Sequence, residues 1–249
     1  MEVYDNPKYY EIAFSFRDIV AEVDFLEEVI SRYSKIPVKT FLELASGNSP
    51  HLQELCKRGY RYIGLELNPE MVDYATRKVK EKNIAGEIIR GDMIEFSLKE
   101  PADCALVFLG SLYAKSDEEL NKHLNSVAKA INKGGLYILD GVVSFYPEDV
   151  HTQSWESDEG DIKIAVSYKA EWIDEKEKLL SGTITLNVKD GEVERKIEHS
   201  EIRKIYTTDE FIVKAKQKGL WKNVGSFSNF DINSPPKEKG RNILVLERI

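Results

Sequence analysis

The sequence predicts an α/β protein of the Rossmann-like, doubly wound class, with a seven-stranded, mostly parallel sheet and an antiparallel β insertion after the fifth strand. Two observations carry this prediction. Between residues 36 and 145, short apolar runs alternate with amphipathic helical segments, which is typical of βαβ units. From about residue 150 to residue 206 the apolar residues instead recur with period two, which indicates antiparallel strands.

The individual elements follow from local signals. Helical spacing runs from about residue 5 to residue 33, before the alternating region begins. Asn68 followed by Pro69 is a helix start, and glycines at 59 and 134 close two other helices. The predicted strands of this region are 40–44, 62–65, 87–90, 102–109 and 136–140, and its helices are 50–58, 69–82 and 117–131.

The period-two region predicts strands at 162–173, 180–188, 193–197 and 201–206, with Asp190-Gly191 as a hairpin turn. A helix at 208–218 follows, and two last strands at 222–228 and 242–247 are predicted to form a hairpin that completes the large sheet.

Composition narrows the classes of function. The 249 residues carry a net charge of −8, which argues against a protein whose main partner is a nucleic-acid backbone. No apolar run reaches the roughly 20 residues that span a bilayer, so no membrane partner is expected. Cys56 and Cys104 lack metal-ligand spacing, so we expect no metal and reduced thiols in a cytoplasmic protein.

The stretch from 41 to 67 predicts the ligand. It reads as strand, glycine turn, helix and strand, with Glu43 entering the turn and Glu66 closing the next strand, 19 residues after Gly47. This spacing is typical of a nucleoside cofactor whose ribose hydroxyls meet an acid. The second and third glycines of a dinucleotide site are missing, which disfavours an NAD-dependent oxidoreductase.

A carboxylate that enters the turn repels phosphates and suits an ammonium or a sulfonium. S-adenosyl-L-methionine has a ribose, an amino group, a positive sulfur and no phosphate, so it is the predicted cofactor, with S-adenosyl-L-homocysteine as product. Glu43 is predicted to accept from its amino group and Glu66 from its ribose. The turn residues predicted to surround it are Ala45, Ser46, Gly47, Asn48 and His51.

Further site residues follow the later strands. Asp92 and Met93 are predicted to meet the adenine, with Leu67 and Met71 packing on the ring. After the fourth strand, the predicted position of the methyl group is flanked by Leu109, Gly110, Ser111 and Tyr113. Neither an Asn/Asp-Pro-Pro-aromatic tetrad nor a Pro-Cys nucleophile stands there, which favours a small-molecule acceptor over a nucleic acid.

In this order and spacing, the segments LELASGNSPHL, GLELNPEM, GDM, FLGSLYA and INKGGLYILD resemble the motifs of class I S-adenosylmethionine-dependent methyltransferases. The chain is also similar to the subgroup of glycine/sarcosine and TDP-aminosugar N-methyltransferases. The resemblance implies the class I methyltransferase fold in one domain. Its parts would be a helical lid at 1–35, a cofactor-binding core at 36–145, an acceptor-side insertion at 150–206 and a terminal helix and hairpin at 207–249.

Residues 9–17 resemble the aromatic N-terminal helix of this subgroup. In the subgroup an aromatic hydroxyl of that helix approaches the sulfonium, and a basic residue approaches the cofactor carboxylate. The resemblance implies that Tyr10 lies near the sulfonium and that Arg17 lies near the cofactor carboxylate. Ser49 replaces the usual second glycine, and Glu43 replaces the commoner aspartate. We therefore expect a reshaped carboxylate site.

Together these features predict methyl transfer to nitrogen or oxygen of a small molecule by in-line displacement, with Tyr10, Ser111 and Tyr113 at the reacting centre. Candidate bases are the four histidines, His51, His123, His151 and His199, each with a structural alternative. Two other functions remain open, namely a tRNA, rRNA or protein methyltransferase and a catalytically silent cofactor-binding module. The oligomeric state is expected to be monomer or homodimer.

Overall fold

The computed structural model describes residues 2–143, 152–238 and 240–249. The strands are β1 (Thr40–Leu44), β2 (Arg61–Glu66), β3 (Gly86–Arg90), β4 (Ala102–Val107), β5 (Ile131–Asp140), β6 (Thr152–Glu159), β7 (Ile162–Asp174), β8 (Leu179–Asp190), β9 (Val193–Lys204), β10 (Trp221–Ser228) and β11 (Asn242–Arg248). The α-helices are α1 (Pro7–Ala13), α2 (Ile19–Tyr33), α3 (Leu52–Lys57), α4 (Pro69–Glu81), α5 (Asp117–Ala130) and α6 (Thr208–Lys216).

The larger sheet has seven strands in the order β10-β11-β5-β4-β1-β2-β3. β11 runs antiparallel to both of its neighbours, and the pairs from β5 to β3 are parallel. The strand order reverses between β1 and β4, and ligands of open α/β sheets bind beyond the carboxyl ends of the strands at such a point. The predicted fold class, including the antiparallel insertion after the fifth strand, is confirmed.

The sheet buries apolar side chains on both faces because neighbouring residues of a strand point in opposite directions. In β1, Leu42 and Leu44 pack with residues of α5 and α6, whereas Phe41 packs with residues of α2 and α3. Glu43 therefore lies on the α2 face, at the carboxyl end of the strand.

The predicted continuous helical segment from about residue 5 to residue 33 is wrong. α1 ends at Ala13 and α2 begins only at Ile19. The break has a local cause, because the Asp18 side chain accepts a hydrogen bond from the backbone N–H of Ala21 and so caps the start of α2. The break carries Arg17 into the protein interior.

The insertion is a four-stranded antiparallel sheet in the order β6-β7-β8-β9. The two strands predicted at 193–197 and 201–206 are one strand, β9, which pairs with β8 in unbroken register, and β6 was not predicted. Both errors have the same reason: β6 and β9 are rich in charged and polar side chains, so pairing with a neighbour, rather than apolar alternation, defines them.

The inner face of the small sheet packs against the N-terminal segment. Val3, Ile12 and Ala13 form one apolar cluster with strand residues such as Leu186 and Ile197. This packing holds α1 over the region where the two sheets meet. Within the described ranges, no helix is both long and apolar enough to cross a membrane.

Candidate functional site

Glu66 joins the turns that follow β1 and β2. Its Oε2 accepts the N–H of Gly47 at 2.8 Å, and its Oε1 accepts the N–H groups of Leu67 and Asn68 at 2.9 and 2.8 Å. Burial raises the pKa of Glu66, while these three N–H groups act in the opposite direction. A carboxylate has about four acceptor positions, so about one remains for a ligand hydroxyl.

The turn after β1 has an unusual backbone. Ala45, Gly47 and Ser49 have φ angles of 49°, 52° and 52°, in the left-handed region that alanine and serine rarely adopt. Such strain concentrates at ligand sites. A Cβ atom at Gly47 would lie 3.8 Å from Cε1 of Tyr10, so the ring of α1 covers this turn. Ser46 and Asn48 are buried within it.

The predicted adenine residues lie at the tips of β2 and β3. Leu67 is 59% exposed and Met71 is fully buried in the first turn of α4. Asp92 is exposed, and its Oδ1 accepts the N–H of Ile94 at 2.8 Å. Asp92 therefore shapes the loop that carries Met93.

His123 supports that loop from below. Its Nδ1 lies 2.8 Å from the carbonyl oxygen of Met93 and its Nε2 lies 2.7 Å from the hydroxyl of Tyr137. A carbonyl only accepts, so Nδ1 carries the proton and Nε2 accepts from Tyr137. Burial lowers the pKa of His123 to about 4, which keeps the ring neutral. The structure therefore gives His123 a supporting contact with the Met93 loop and no role as a base.

We expect His123→Leu to destabilise the protein by about 2 kcal/mol, because the substitution leaves the Tyr137 hydroxyl and the Met93 carbonyl without partners. Urea denaturation of the purified variant measures this change. Lys122→Ala on the same helix is the matched control, since Lys122 is exposed and forms an ion pair with Glu118 one turn away. Equal midpoints for the two variants would contradict the assignment.

Glu43, predicted to accept from the cofactor's amino group, has both oxygens engaged inside the protein. Its Oε1 lies 2.7 Å from Nδ1 of His51, and its Oε2 accepts the hydroxyl of Tyr62 at 2.6 Å. His51 is fully buried and its ring lies edge-on to Phe108. The direct contact between Glu43 and a ligand thus stays a prediction, and the observed partners make Glu43 a support for the turn.

The other side of His51 meets a second carboxylate. Its Nε2 lies 2.8 Å from Oε2 of Glu22, and Glu22 also accepts from Nη2 of Arg17 at 2.5 Å and from Nη1 of Arg241 at 2.7 Å. Arg241 in turn donates to both oxygens of Asp140. The role predicted for Arg17 at the cofactor carboxylate stays a prediction. In the structure Arg17 forms an ion pair with Glu22, and its guanidinium lies over the ring of Phe108.

We call this set the buried charge cluster: Arg17, Glu22, Glu43, His51, Asp140 and Arg241. The carboxylates Glu43 and Glu22 raise the pKa of His51 against the effect of burial. Burial alone would raise the pKa of Glu22, but hydrogen bonds from His51 and Arg17 hold it far below its usual range. Two arginines and His51, which carries a positive charge when it is protonated, therefore face three carboxylates beneath the point where the strand order reverses.

The tip of β4 is tied to the same cluster. The N–H of Leu109 donates to Oδ2 of Asp140 at 2.9 Å, and the N–H of Gly110 donates to the Asp140 carbonyl at 2.9 Å. The N–H of Ser111 donates to the carbonyl of Phe108 at 3.2 Å. The backbone at the predicted methyl position is thereby held by hydrogen bonds on the sheet side.

The opposite side of this tip meets the insertion. Nη1 of Arg203 donates to the carbonyl of Gly110 at 2.7 Å, and the hydroxyls of Tyr113 and Tyr4 lie 3.3 Å apart. Glu201, on the same strand as Arg203, lies close enough to shift the pKa values of both tyrosines. Sequence reasoning missed Tyr4, Glu201 and Arg203. The period-two alternation of β9 places Ile197 and Glu201 on one face of the strand. The prediction ended one strand at residue 197 and began another at residue 201, so this relation was missed.

The two remaining histidines belong to the segment between β5 and α6. Nδ1 of His199 is 3.2 Å from a carboxylate oxygen of Glu2, and its ring packs edge-on to Tyr4. His151 lies outside the described residues. The structure thus brings the predicted residues of the turn, the tip of β2 and the tip of β4 to one edge of the sheet, with Tyr10 above them.

Comparisons with known proteins address the family and the fold. Residues 41–135 match the family described as methyltransferase domain. Over 140 residues the chain is 25% identical to the dTDP-3-amino-3,4,6-trideoxy-alpha-D-glucopyranose N,N-dimethyltransferase of Streptomyces venezuelae, a match that covers 55% of this chain and 56% of that protein. The chain spans about half the length of the curated relatives it matches.

Solved structures resemble the chain over nearly its whole length. A S-adenosylmethionine-dependent methyltransferase from Clostridium acetobutylicum has a TM-score of 0.79 at 18% identity, with 96% of each chain covered. Streptomyces venezuelae DesVI has a TM-score of 0.74 at 19% identity, with 93% of this chain and 92% of that chain covered. These comparisons confirm the predicted fold and family resemblance.

Proposed function

We infer that this chain is a class I S-adenosylmethionine-dependent methyltransferase that methylates an amine of a small molecule. The observation that carries the inference is the Glu66 carboxylate, held by three backbone N–H groups at the tips of β1 and β2 inside the segment that matches a methyltransferase domain. A carboxylate at these strand tips, without a phosphate-binding glycine run beside it, fits a nucleoside that carries a positive charge.

Several residues would hold the cofactor. The acceptor position left on Glu66 suits a ribose hydroxyl, and the loop of Asp92 and Met93 suits the adenine. Burial raises the pKa of Tyr10 to about 12, so its hydroxyl stays a neutral dipole beside the turn at Gly47. When bound, S-adenosylmethionine supplies an electrophilic methyl group on a sulfonium.

The remaining residues orient the acceptor and exclude water. The backbone at Gly110 and Ser111 is held by Asp140 and Phe108, so the wall at the tip of β4 is preorganised. We propose that residues 1–35 act as a lid, because α1 packs on the inner face of the small sheet and Tyr10 covers Gly47. Residues 150–206 would then form the acceptor side.

Two relatives support an amine acceptor, since both are named as N,N-dimethyltransferases of dTDP-linked amino sugars. We therefore propose an amino sugar or a similar small amine as the acceptor. The net charge of −8 fits a small-molecule partner better than an RNA.

Calorimetry and a turnover assay test the function. S-adenosylhomocysteine is titrated into the protein, and its release from S-adenosylmethionine is then followed with dTDP-amino sugars, simple amines, hydroxyl analogues, tRNA and protein. We expect binding of the cofactor product and turnover with an amine. Binding without turnover would favour a silent module, turnover with RNA or protein would favour a macromolecular acceptor, and absence of binding would overturn the proposal.

A further inference from the structure

One face of β9 changes character along its length. Ile197, His199, Glu201 and Arg203 share this face because strand side chains alternate with period two. Ile197 is buried in the apolar cluster under α1. Further along, the same face becomes polar where it meets Tyr113 and the tip of β4. A sheet face that turns polar as it approaches the proposed methyl position suits contact with a polar acceptor.

Glu201 is an unusual group in this place. Its side chain is only 12% exposed, and its Oε2 has no hydrogen-bond partner among the described residues. Burying a carboxylate without a partner is costly, so such a group marks a place where a ligand can supply the missing contact. The fold leaves one buried oxygen of Glu201 without a hydrogen-bond donor among the described residues.

Arg203 forms no hydrogen bond with this oxygen: two of its nitrogens donate to other groups, and its Nε has no hydrogen-bond partner among the described residues. Nη1 donates to the Gly110 carbonyl at 2.7 Å and Nη2 donates to the Tyr168 hydroxyl at 3.1 Å. Tyr168 reaches this position across Gly182: a Cβ at Gly182 would lie 2.6 Å from the Tyr168 hydroxyl oxygen. The glycine thus permits the contact that holds the guanidinium on the tip of β4.

Tyrosines from three elements face Glu201. Tyr4 comes from the N-terminal 3-10 turn at Val3–Asp5, Tyr10 from α1 and Tyr113 from the segment after β4. His199 on the same strand has its Nε2 4.0 Å from Oε2 of Glu201. The charge of Glu66 also raises the pKa values of Tyr10 and Tyr4, so both tyrosines lie within the electrostatic influence of the two carboxylates. Aromatic rings near a carboxylate favour an organic cation.

We propose, resting on the proposed function, that Glu201 receives the protonated amine of the acceptor and removes one of its protons. The ammonium donates to Oε2, the N–H bond breaks and an O–H bond forms on the carboxylate. The electron pair of that N–H bond stays on nitrogen as the lone pair that would form the new bond to the methyl carbon. The bond from that carbon to sulfur would break, and its electron pair would leave with S-adenosylhomocysteine. The proton leaves Glu201 for solvent before the next acceptor binds.

The titration of Glu201 suits this role. Burial raises its pKa to about 7, against the opposing effects of Arg203 and Tyr113. A carboxylate with this pKa is ionised above neutral pH and still basic enough to accept a proton from an ammonium that is close by. The pH profile of turnover should therefore contain an ionisation near 7 that belongs to this side chain.

Glu201→Gln tests the proposal and Glu198→Gln is its matched control. Glu198 is on the opposite, exposed face of β9 and bonds to Thr185 and Lys196. We expect Glu201→Gln to raise KM for the amine at least tenfold and to remove the ionisation near pH 7 from kcat/KM, with S-adenosylhomocysteine affinity unchanged. Glu201→Asp should restore part of the pH dependence. Wild-type KM and pH profile in Glu201→Gln would overturn the proposal.

Direct binding separates this inference from the proposed function. A dTDP-amino sugar and the matched sugar with a hydroxyl in place of the amine are titrated into each protein, with and without S-adenosylhomocysteine. We expect wild type to prefer the amine at least tenfold and Glu201→Gln to lose the preference. Equal binding of both compounds by wild type, or binding of neither, would contradict the inference, whereas failure of the proposed function would show as no binding of S-adenosylhomocysteine.

Discussion

His51→Leu is expected to destabilise the fold by about 3–5 kcal/mol, because it removes one partner from buried charges and leaves the others uncompensated. Nε2 and Nδ1 of His51 lie 2.8 and 2.7 Å from carboxylate oxygens of Glu22 and Glu43. With leucine in place, Arg17 and Arg241 still neutralise Glu22, but Glu43 keeps only the neutral hydroxyl of Tyr62. Guanidinium denaturation at pH 6 measures the loss.

The matched control is Tyr62→Phe, which removes the other partner of Glu43. This change takes away a hydrogen bond rather than a charge, so we expect a loss of about 1–2 kcal/mol. Equal slopes of the unfolding free energy against denaturant would show that both variants unfold from a similar compact state. A loss below 1 kcal/mol in His51→Leu would contradict the description of the buried charge cluster.

The buried charge cluster also predicts how stability depends on pH. The pKa of His51 is raised above its ordinary 6.5, so its contribution is complete below that pH and is lost as pH rises through the folded-state pKa. The pKa of Glu22 is lowered from its ordinary 4.5, so its contribution is complete above that pH and is lost as pH falls. His51→Leu should therefore flatten the alkaline side of the stability curve.

Glu66→Ala is expected to weaken the binding of S-adenosylhomocysteine by about 1.5–3 kcal/mol, because it removes a charged acceptor and the support of two turns. The N–H groups of Gly47, Leu67 and Asn68 all lose their side-chain acceptor in this variant. Calorimetry at a temperature where the variant stays folded measures the change. Unchanged affinity would refute the assignment of Glu66 to the ribose.

Two further variants separate the loss of the ligand contact from the loss of turn support and from a general effect of negative charge. Glu66→Gln keeps an oxygen for Leu67 and Asn68 but turns an NH₂ group toward the N–H of Gly47, so an intermediate affinity is expected. Glu87→Ala on the neighbouring strand removes an exposed carboxylate that lies 3.4 Å from Arg61 and should leave the affinity unchanged. A loss of affinity in Glu87→Ala would indicate a general effect of negative charge instead of a contact.

Much of the fold could be predicted because its signals are local. β1 and the start of α4 at Pro69 agree with the prediction, since an apolar run and the Asn68 cap each act within a few residues. The sequence does not predict β6, or that β9 is one continuous strand, because both are defined by pairing with neighbouring strands and lack a clear alternation of apolar residues. Because β9 was predicted as two separate strands, the sequence also did not show that Glu201 shares a face with Ile197.

The sequence by itself determined the order of strands and helices between β1 and β5, the turn at Gly47 and the acid at the end of β2, because each depends on residues that are near one another in the chain. Only the tertiary structure decided which charges meet. The bonds from Glu22 to His51 and to Arg241 span 29 and 219 positions, so they depend on strand order and burial. A buried charge without an opposite charge nearby destabilises the protein, and the fold, not the local sequence pattern, determines which opposite charge lies next to it.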